Sequence, residues 1–109
     1  MSLPHGLSAD TVAKIREVFS RFPEVEKAVL YGSRAKGNAR AGSDIDLTLF
    51  GSGLDQGKVG QIDDALDDLL LPYRIDLSIF ARITHSDLLD HIQRVGVALY
   101  EKTPVEAKR

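Results

Sequence analysis

Cysteine is absent from the 109 residues, and this absence excludes several kinds of chemistry. No disulfide, thiolate metal site, cysteine nucleophile or thiol redox centre can form. Residues 1–6 also lack the basic and then apolar stretch of a signal peptide, and no apolar run approaches the roughly 20 residues that span a bilayer. These absences together predict a cytoplasmic location and no membrane contact.

An excess of positive charge is also absent. Lys and Arg total 14 against 16 Asp and Glu, for a net charge of -2, so DNA is not an expected partner and any anion site must be local. The 43% hydrophobic and 28% charged content is typical of a folded globular protein. At this length we expect a single domain over 1–109, with flexible ends at 1–7 and 102–109.

Apolar periodicity predicts elements in the order α-β-α-β-α-β-α, with a short final edge strand as an option. Thr84, followed by Asp87 three residues later, resembles a capping box that opens the last helix. The predicted elements are a helix from Ser8 to Pro23, a strand at 25–31, a helical turn at 34–36, a strand at 43–50, a helix at 59–70, a strand at 74–80, a helix ending at Gly96 and an edge strand at 97–100.

Two predicted strands carry acidic residues on their polar faces. Asp44 and Asp46 are two positions apart, so their side chains share one face about 7 Å from each other. Asp76 occupies a similar position in the next strand. If the two strands pair in suitable register, three carboxylates could hold two divalent cations about 4 Å apart. The alternative is a half-exposed strand with solvated acids.

A candidate anion site precedes the acids. Gly32 and Ser33 lie at a strand-to-helix turn, where free backbone N–H groups and the helix dipole favour an anion, and basic residues follow at Arg34, Lys36 and Arg40. Taken alone, these residues also fit an ordinary turn with a helix cap and solvated bases. An anion-binding turn close to a cation-binding acid pair, however, is the combination that a metal-bound triphosphate needs.

Other candidate motifs are excluded or assigned to structure. Gly32 and Gly37 have Walker A spacing, but Asn38 follows in place of Lys, and the glycines at 51, 53 and 57 miss the dinucleotide fingerprint by one position. The histidines have no partner at zinc-ligand spacing and are assigned to structural or surface roles. These are His5, His85 and His91. The acids at 63, 64, 67 and 68 are assigned to the solvated face of a helix.

The segments 32–37 (GSRAKG) and 43–47 (SDIDL) resemble the minimal nucleotidyltransferase branch of the DNA polymerase beta-like superfamily. The similarity runs from about Val29 to Glu101 and includes 74–77 (RIDL) and 91–96 (HIQRVG). It implies an α/β (α+β) fold with a small mixed sheet flanked by helices. It also implies that Gly32 and Ser33 contact a nucleoside triphosphate, while acids at positions 44, 46 and 76 hold two Mg²⁺ ions, with Mn²⁺ as a substitute.

The implied reaction is in-line attack of an acceptor hydroxyl on the α-phosphorus. Asp76 would orient the nucleophile, act as its base, or serve only as a metal ligand. Short proteins of this family are commonly antitoxins paired with a helical HEPN ribonuclease toxin, and some add AMP to a tyrosine. The resemblance therefore predicts transfer of AMP from ATP to a hydroxyl on a HEPN-type protein.

Two other functions stay open. The chain could be a non-catalytic nucleotide-binding module that neutralises its partner by forming a complex. In any of these functions it could also form oligomers. Transfer to a small molecule such as an aminoglycoside predicts an additional acceptor-binding domain. Such an acceptor needs a pocket that buries most of it, and one small domain with a triphosphate site has little surface left for that pocket.

Overall fold

The computed structural model describes residues 6–32, 35 and 44–102. The helical turn predicted at 34–36 lies outside these residues, apart from Ala35, which is helical. The other predicted helices and strands are found, including the short final strand. In chain order they are α1 (Ala9–Ser20), β1 (Lys27–Tyr31), β2 (Ile45–Phe50), α2 (Gln56–Asp67), β3 (Ile75–Ile79), a 3-10 turn (Phe80–Arg82), α3 (Ser86–Val95) and β4 (Val97–Glu101).

The four strands form one mixed sheet in the order β3-β2-β1-β4. β1 pairs antiparallel with both β2 and β4, whereas β2 and β3 are parallel. The parallel pair follows from the connection, because α2 carries the chain back to the end of the sheet where β2 began. The mixed sheet flanked by helices that the resemblance implied is confirmed, and β4 is an edge strand as predicted.

One face of the sheet carries the main hydrophobic core. The alternating residues Ile45, Leu47 and Leu49 of β2 are fully buried there, as the period-two pattern predicts. They share this core with apolar residues of both long helices, namely Val12, Ile15, Val18 and Phe19 of α1 and Val59, Ile62 and Leu66 of α2. Leu7, the last residue of the range 1–7, is also fully buried in this core.

The opposite face of the sheet is polar toward β3 and is covered by α3 at β1. Ile92 of α3 and Val29 of β1 are both buried outside the main core. Gly96, at the end of α3, lies so close to β1 that a Cβ there would be 2.7 Å from Val29 Cγ1. Helix α3 therefore covers the part of this face at β1, next to the acidic residues of β2 and β3.

The helix ends show which capping predictions were right. Ser8 caps α1 as predicted, with its Oγ accepting from the Thr11 N–H at 3.1 Å. The capping box at Thr84 was wrong, because α3 begins two residues later and His85 is its N-cap, accepting from the Leu88 N–H through Nδ1 at 3.3 Å. Among the described residues, no helix is long and apolar enough to cross a membrane.

Helix α2 is displaced toward the N-terminus relative to its prediction. It begins at Gln56 and not at 59, because the Asp55 carboxylate accepts from the Lys58 N–H at 2.8 Å and caps the first turn. It ends at Asp67, before the predicted limit, and Leu70 then adopts a left-handed backbone with φ 55°. The chain has thus left the helix before Pro72 could stop it.

The cap at Asp55 leads to a stability prediction. Asp55→Ala should lower the free energy of unfolding by about 1 kcal/mol, because the N–H of Lys58 loses its acceptor. Urea denaturation of both proteins measures this difference. Asp64→Ala, at an exposed position on the same helix, serves as the control and should change stability by less than about 0.5 kcal/mol. Equal effects at the two positions would contradict the cap.

Candidate active site

The strand register brings two of the three predicted acids side by side. Asp46 of β2 is the direct partner of Asp76 in β3, and neighbouring strands lie about 4.8 Å apart. Asp44 is exposed and precedes β2, two residues before Asp46. All three predicted acids therefore belong to one end of two neighbouring strands, with the pair at positions 46 and 76 on the same face.

The acids influence each other electrostatically. Burial raises the pKa of Asp46 above its ordinary value, and the negative charges of Asp76 and Asp44 raise it further. Within the described part of the chain, none of the ion pairs involves any of these three carboxylates. The site thus holds concentrated negative charge that no described basic side chain neutralises by direct contact.

This donor set fits a hard divalent cation. Carboxylate oxygens are the ligands that Mg²⁺ and Mn²⁺ prefer, and Mg²⁺ is usually held by one or two carboxylates together with substrate phosphates and water. Over residues 6–32, 35 and 44–102, no group of three or more His, Asp or Glu side chains is arranged to hold a metal ion. The phosphate oxygens of a nucleotide would therefore have to supply part of the coordination at Asp46 and Asp76.

Gly32, the first residue of the predicted turn and here called the glycine turn, lies directly against Asp46. Tyr31, the last paired residue of β1, is opposite Asp46. The next residue, Gly32, has φ +79°, and a Cβ built on it would be 2.5 Å from Asp46 Oδ2. The other residues predicted to bind the nucleotide, Ser33, Arg34, Lys36 and Arg40, lie outside the described residues.

Three hydroxyl side chains beside the acids were missed by sequence reasoning. Ser78 Oγ donates to Thr48 Oγ1 at 3.0 Å, and Ser78 is also hydrogen-bonded to Tyr31. Burial raises the pKa of the Tyr31 hydroxyl, the bond to Ser78 opposes this rise, and the charges of Asp46 and Asp76 add to it. Thr48 and Ser78 each follow an acid by two positions, so the period-two pattern could have found them.

His91, which the sequence assigned to a structural or surface role, contacts two residues of the candidate site. Its Nε2 accepts a hydrogen bond from the Gly32 N–H at 3.0 Å. Its ring meets the Tyr31 ring edge to face, with 6.3 Å between centroids. No sequence signal marks this contact, because it joins residues 59 positions apart.

The remaining histidines and acids have other roles or lie at the edge of the candidate site. His85 caps α3, and His5 lies outside the described residues. Asp64, Asp67 and Asp68 are exposed, in agreement with a solvated helix face. Asp63 is half-buried, and its pKa is raised by burial first, then by the charges at positions 67, 64 and 76.

Residues 13–104 match the family described as "Polymerase beta, Nucleotidyltransferase". The chain belongs to this family. The nucleotidyltransferase is also 28% identical, over 97 residues, to a protein of Haemophilus influenzae named as a probable protein adenylyltransferase, MntA. That match covers 88% of this chain and 84% of the relative.

Solved structures confirm the nucleotidyltransferase fold. A chain in the crystal structure of a toxin-antitoxin with AMP-PNP matches with a TM-score of 0.68 and 20% identity, covering 88% of this chain and 77% of that one. A chain in the structure of a tri-AMPylated Shewanella oneidensis HEPN toxin in complex with MNT antitoxin matches with a TM-score of 0.62 and 18% identity. The second match covers 89% of this chain and 75% of that one.

Proposed function

We propose that this nucleotidyltransferase transfers AMP from ATP to a hydroxyl group on a protein acceptor. The observation that carries the proposal is the position of Asp46, which lies between its strand partner Asp76 and the glycine turn at Gly32. A polyphosphate at the turn and a cation at the acids would share one small region. The similarity to a named protein adenylyltransferase supports AMP as the group transferred and protein as the acceptor.

In this proposal Asp44, Asp46 and Asp76 become ligands of a two-metal Mg²⁺ site, in which Mn²⁺ can substitute, once the phosphate oxygens of the nucleotide complete the coordination. Bound Mg²⁺ would supply charge neutralisation on the phosphates and a lowered pKa of the acceptor hydroxyl. Burial of Asp46 strengthens its electrostatic interaction with a cation, because the effective dielectric constant is lower than in water. Asp46 is therefore the acid on which the site depends most.

The acceptor would approach at the β3 edge of the sheet. Asp76 is exposed and lies on that edge strand, so a second protein can bring a hydroxyl to it. The acceptor oxygen forms a bond to the α-phosphorus, the bond from this phosphorus to the bridging oxygen breaks, and pyrophosphate leaves. The hydroxyl proton passes to the Asp76 carboxylate or to solvent.

The triphosphate contacts are assigned to the turn and to the basic residues that follow it. Gly32 contributes close approach, since it has no Cβ, while its own N–H is bonded to His91. Phosphate binding is therefore assigned mainly to Ser33 and to three basic side chains. These are Arg34, Lys36 and Arg40.

The proposed acceptor is a HEPN-type helical protein, for which this chain would be the antitoxin. Two solved relatives of the same fold are a toxin-antitoxin with AMP-PNP and an MNT antitoxin with a tri-AMPylated HEPN toxin. The exposed acid at position 76 suits an acceptor that brings its own binding surface. A reaction that consumes ATP also fits the cytoplasmic location expected from the sequence.

The test is incubation with labelled ATP, Mg²⁺ and a HEPN-family protein, followed by mass spectrometry of both chains. We expect an AMP adduct on a hydroxyl of the HEPN protein, loss of the adduct when EDTA replaces Mg²⁺, and recovery with Mn²⁺. Parallel reactions with labelled GTP, CTP and UTP test the choice of base. Neutralisation of the HEPN protein without any adduct would overturn the proposal in favour of a non-catalytic binding module.

A further inference from the structure

The backbone at Gly32 needs an anchor that the sheet does not provide. Tyr31 is the last residue of β1 that pairs with β2, so the ladder ends one residue before the turn. Gly32 also has φ +79°, and glycine has more backbone freedom to lose than any other residue. A half-buried N–H beyond the end of a ladder requires another acceptor, because leaving it unpaired is costly.

That acceptor comes from the helix on the polar face. His91 of α3 places its Nε2 3.0 Å from the Gly32 nitrogen, while its ring packs edge to face on Tyr31. For Nε2 to accept, it must carry no proton, so the neutral imidazole holds its proton on Nδ1. One side chain thus contacts two consecutive residues at the point where β1 becomes the turn.

Gly32 and the Asp46 carboxylate lie very close together. The empty Cβ position of Gly32 is 2.5 Å from Asp46 Oδ2, so a small shift of the turn changes where the carboxylate can lie. Misplacement of reacting groups by about 1 Å can cost roughly 100-fold in rate. An anchor on Gly32 therefore affects both the proposed polyphosphate site and the proposed metal ligand.

We infer that His91 is a positioning residue for nucleotidyl transfer, which acts by accepting the Gly32 N–H and holding the glycine turn against Asp46. The inference rests on the proposed function. His91 itself contacts neither of the proposed reacting groups in this role. Its two contacts, the hydrogen bond and the ring packing, can be separated by substitution, which makes the inference testable.

Two variants separate the contacts. His91→Phe keeps an aromatic ring against Tyr31 but removes the acceptor, whereas His91→Gln removes the ring and places a side-chain amide oxygen near the position of Nε2. We expect His91→Phe to lower kcat/KM by about tenfold or more, and His91→Gln to restore it to within about threefold of the original. A residue that serves only packing would give the reverse order, and this result would overturn the inference.

Two further measurements keep the test decisive. The thermal midpoint of each variant shows whether it is folded, and His85→Ala, which removes the N-cap of the same helix, should lower stability without changing the KM for ATP. The amide resonance of Gly32 in a ¹⁵N-labelled protein should move strongly in His91→Phe and less in His91→Gln. An unmoved Gly32 resonance in His91→Phe would overturn the inference without any use of activity.

The failure of the inference can be told from failure of the proposed function. If the original protein transfers AMP and His91→Phe transfers it equally well, only the positioning role is wrong. If the original protein forms no adduct, the proposed function fails. In that case the Gly32 amide resonance and the dissociation constant for AMP-PNP are compared between His91→Phe and the original protein. A shifted resonance with weaker AMP-PNP binding supports the anchor, whereas no change in either would overturn the inference.

Discussion

Asp46→Asn is expected to reduce AMP transfer by at least about 1000-fold, because the central oxygen ligand of the proposed cation site loses its charge and metal catalysis contributes several kcal/mol. Single-turnover assays with labelled ATP and the HEPN-family acceptor measure this loss. Asp64→Asn, a substitution of the same type at an exposed position on α2, is the matched control and should retain full activity. Comparable transfer by Asp46→Asn and the original protein would remove the basis of the proposed chemistry.

The same substitution should make the protein more stable at neutral pH. Burial, Asp76 and Asp44 raise the pKa of Asp46 in the folded chain, above the value of about 3.9 typical of an unfolded chain. Between these two pKa values the folded state binds more protons, so the free energy of unfolding falls as pH rises through this window. Above the window the ionised carboxylate costs stability, and asparagine removes that cost.

Thermal midpoints measured from pH 3 to pH 8 test this expectation. The midpoint of Asp46→Asn should exceed that of the original protein near pH 7, and the difference should shrink as pH falls through the folded pKa toward about 3.9. The comparison between the two proteins isolates Asp46 from Asp63, whose pKa is also raised by burial and nearby acids. A difference that stays constant with pH would contradict the electrostatic origin.

Gly32→Ala is expected to destabilise the fold by about 2–3 kcal/mol and to lower transfer by about 100-fold. The backbone angle of +79° is strained for any side chain, and the added Cβ would be 2.5 Å from Asp46 Oδ2, so the carboxylate would have to move. Urea denaturation and adduct formation measure the two effects. Unchanged stability would show that the turn does not need this glycine.

Two controls divide the effect of Gly32→Ala into its causes. Gly60, an exposed residue of α2, has no atom within 4 Å of an added Cβ, so Gly60→Ala should stabilise the protein by about 0.5–1 kcal/mol. In an Asp46→Ala background the contact with the carboxylate is gone, and Gly32→Ala should then cost only the backbone part, about 1 kcal/mol. Equal costs in both backgrounds would exclude the contact with Asp46.

The order of the described elements and the faces of their residues were determined by the sequence. Side chains two apart in a strand, or three and four apart in a helix, share a face wherever the element lies. The alternation in β2 therefore predicted both the buried row at Ile45, Leu47 and Leu49 and the opposite face at Asp46. The boundaries of α2 and α3 were less well determined, because the caps at Asp55 and His85 depend on single local hydrogen bonds.

Only the tertiary structure decided which residues meet. The parallel register that sets Asp46 beside Asp76 depends on how α2, the helix that connects β2 to β3, packs against the sheet. No pattern within either strand specifies this register. The contact between His91 and Gly32 requires in addition that α3 cover β1 on the polar face. Local periodicity is set by neighbours along the chain, whereas strand register and helix placement are set by burial of the whole core. The acid pair, Gly32 and His91 therefore become adjacent only in the folded protein.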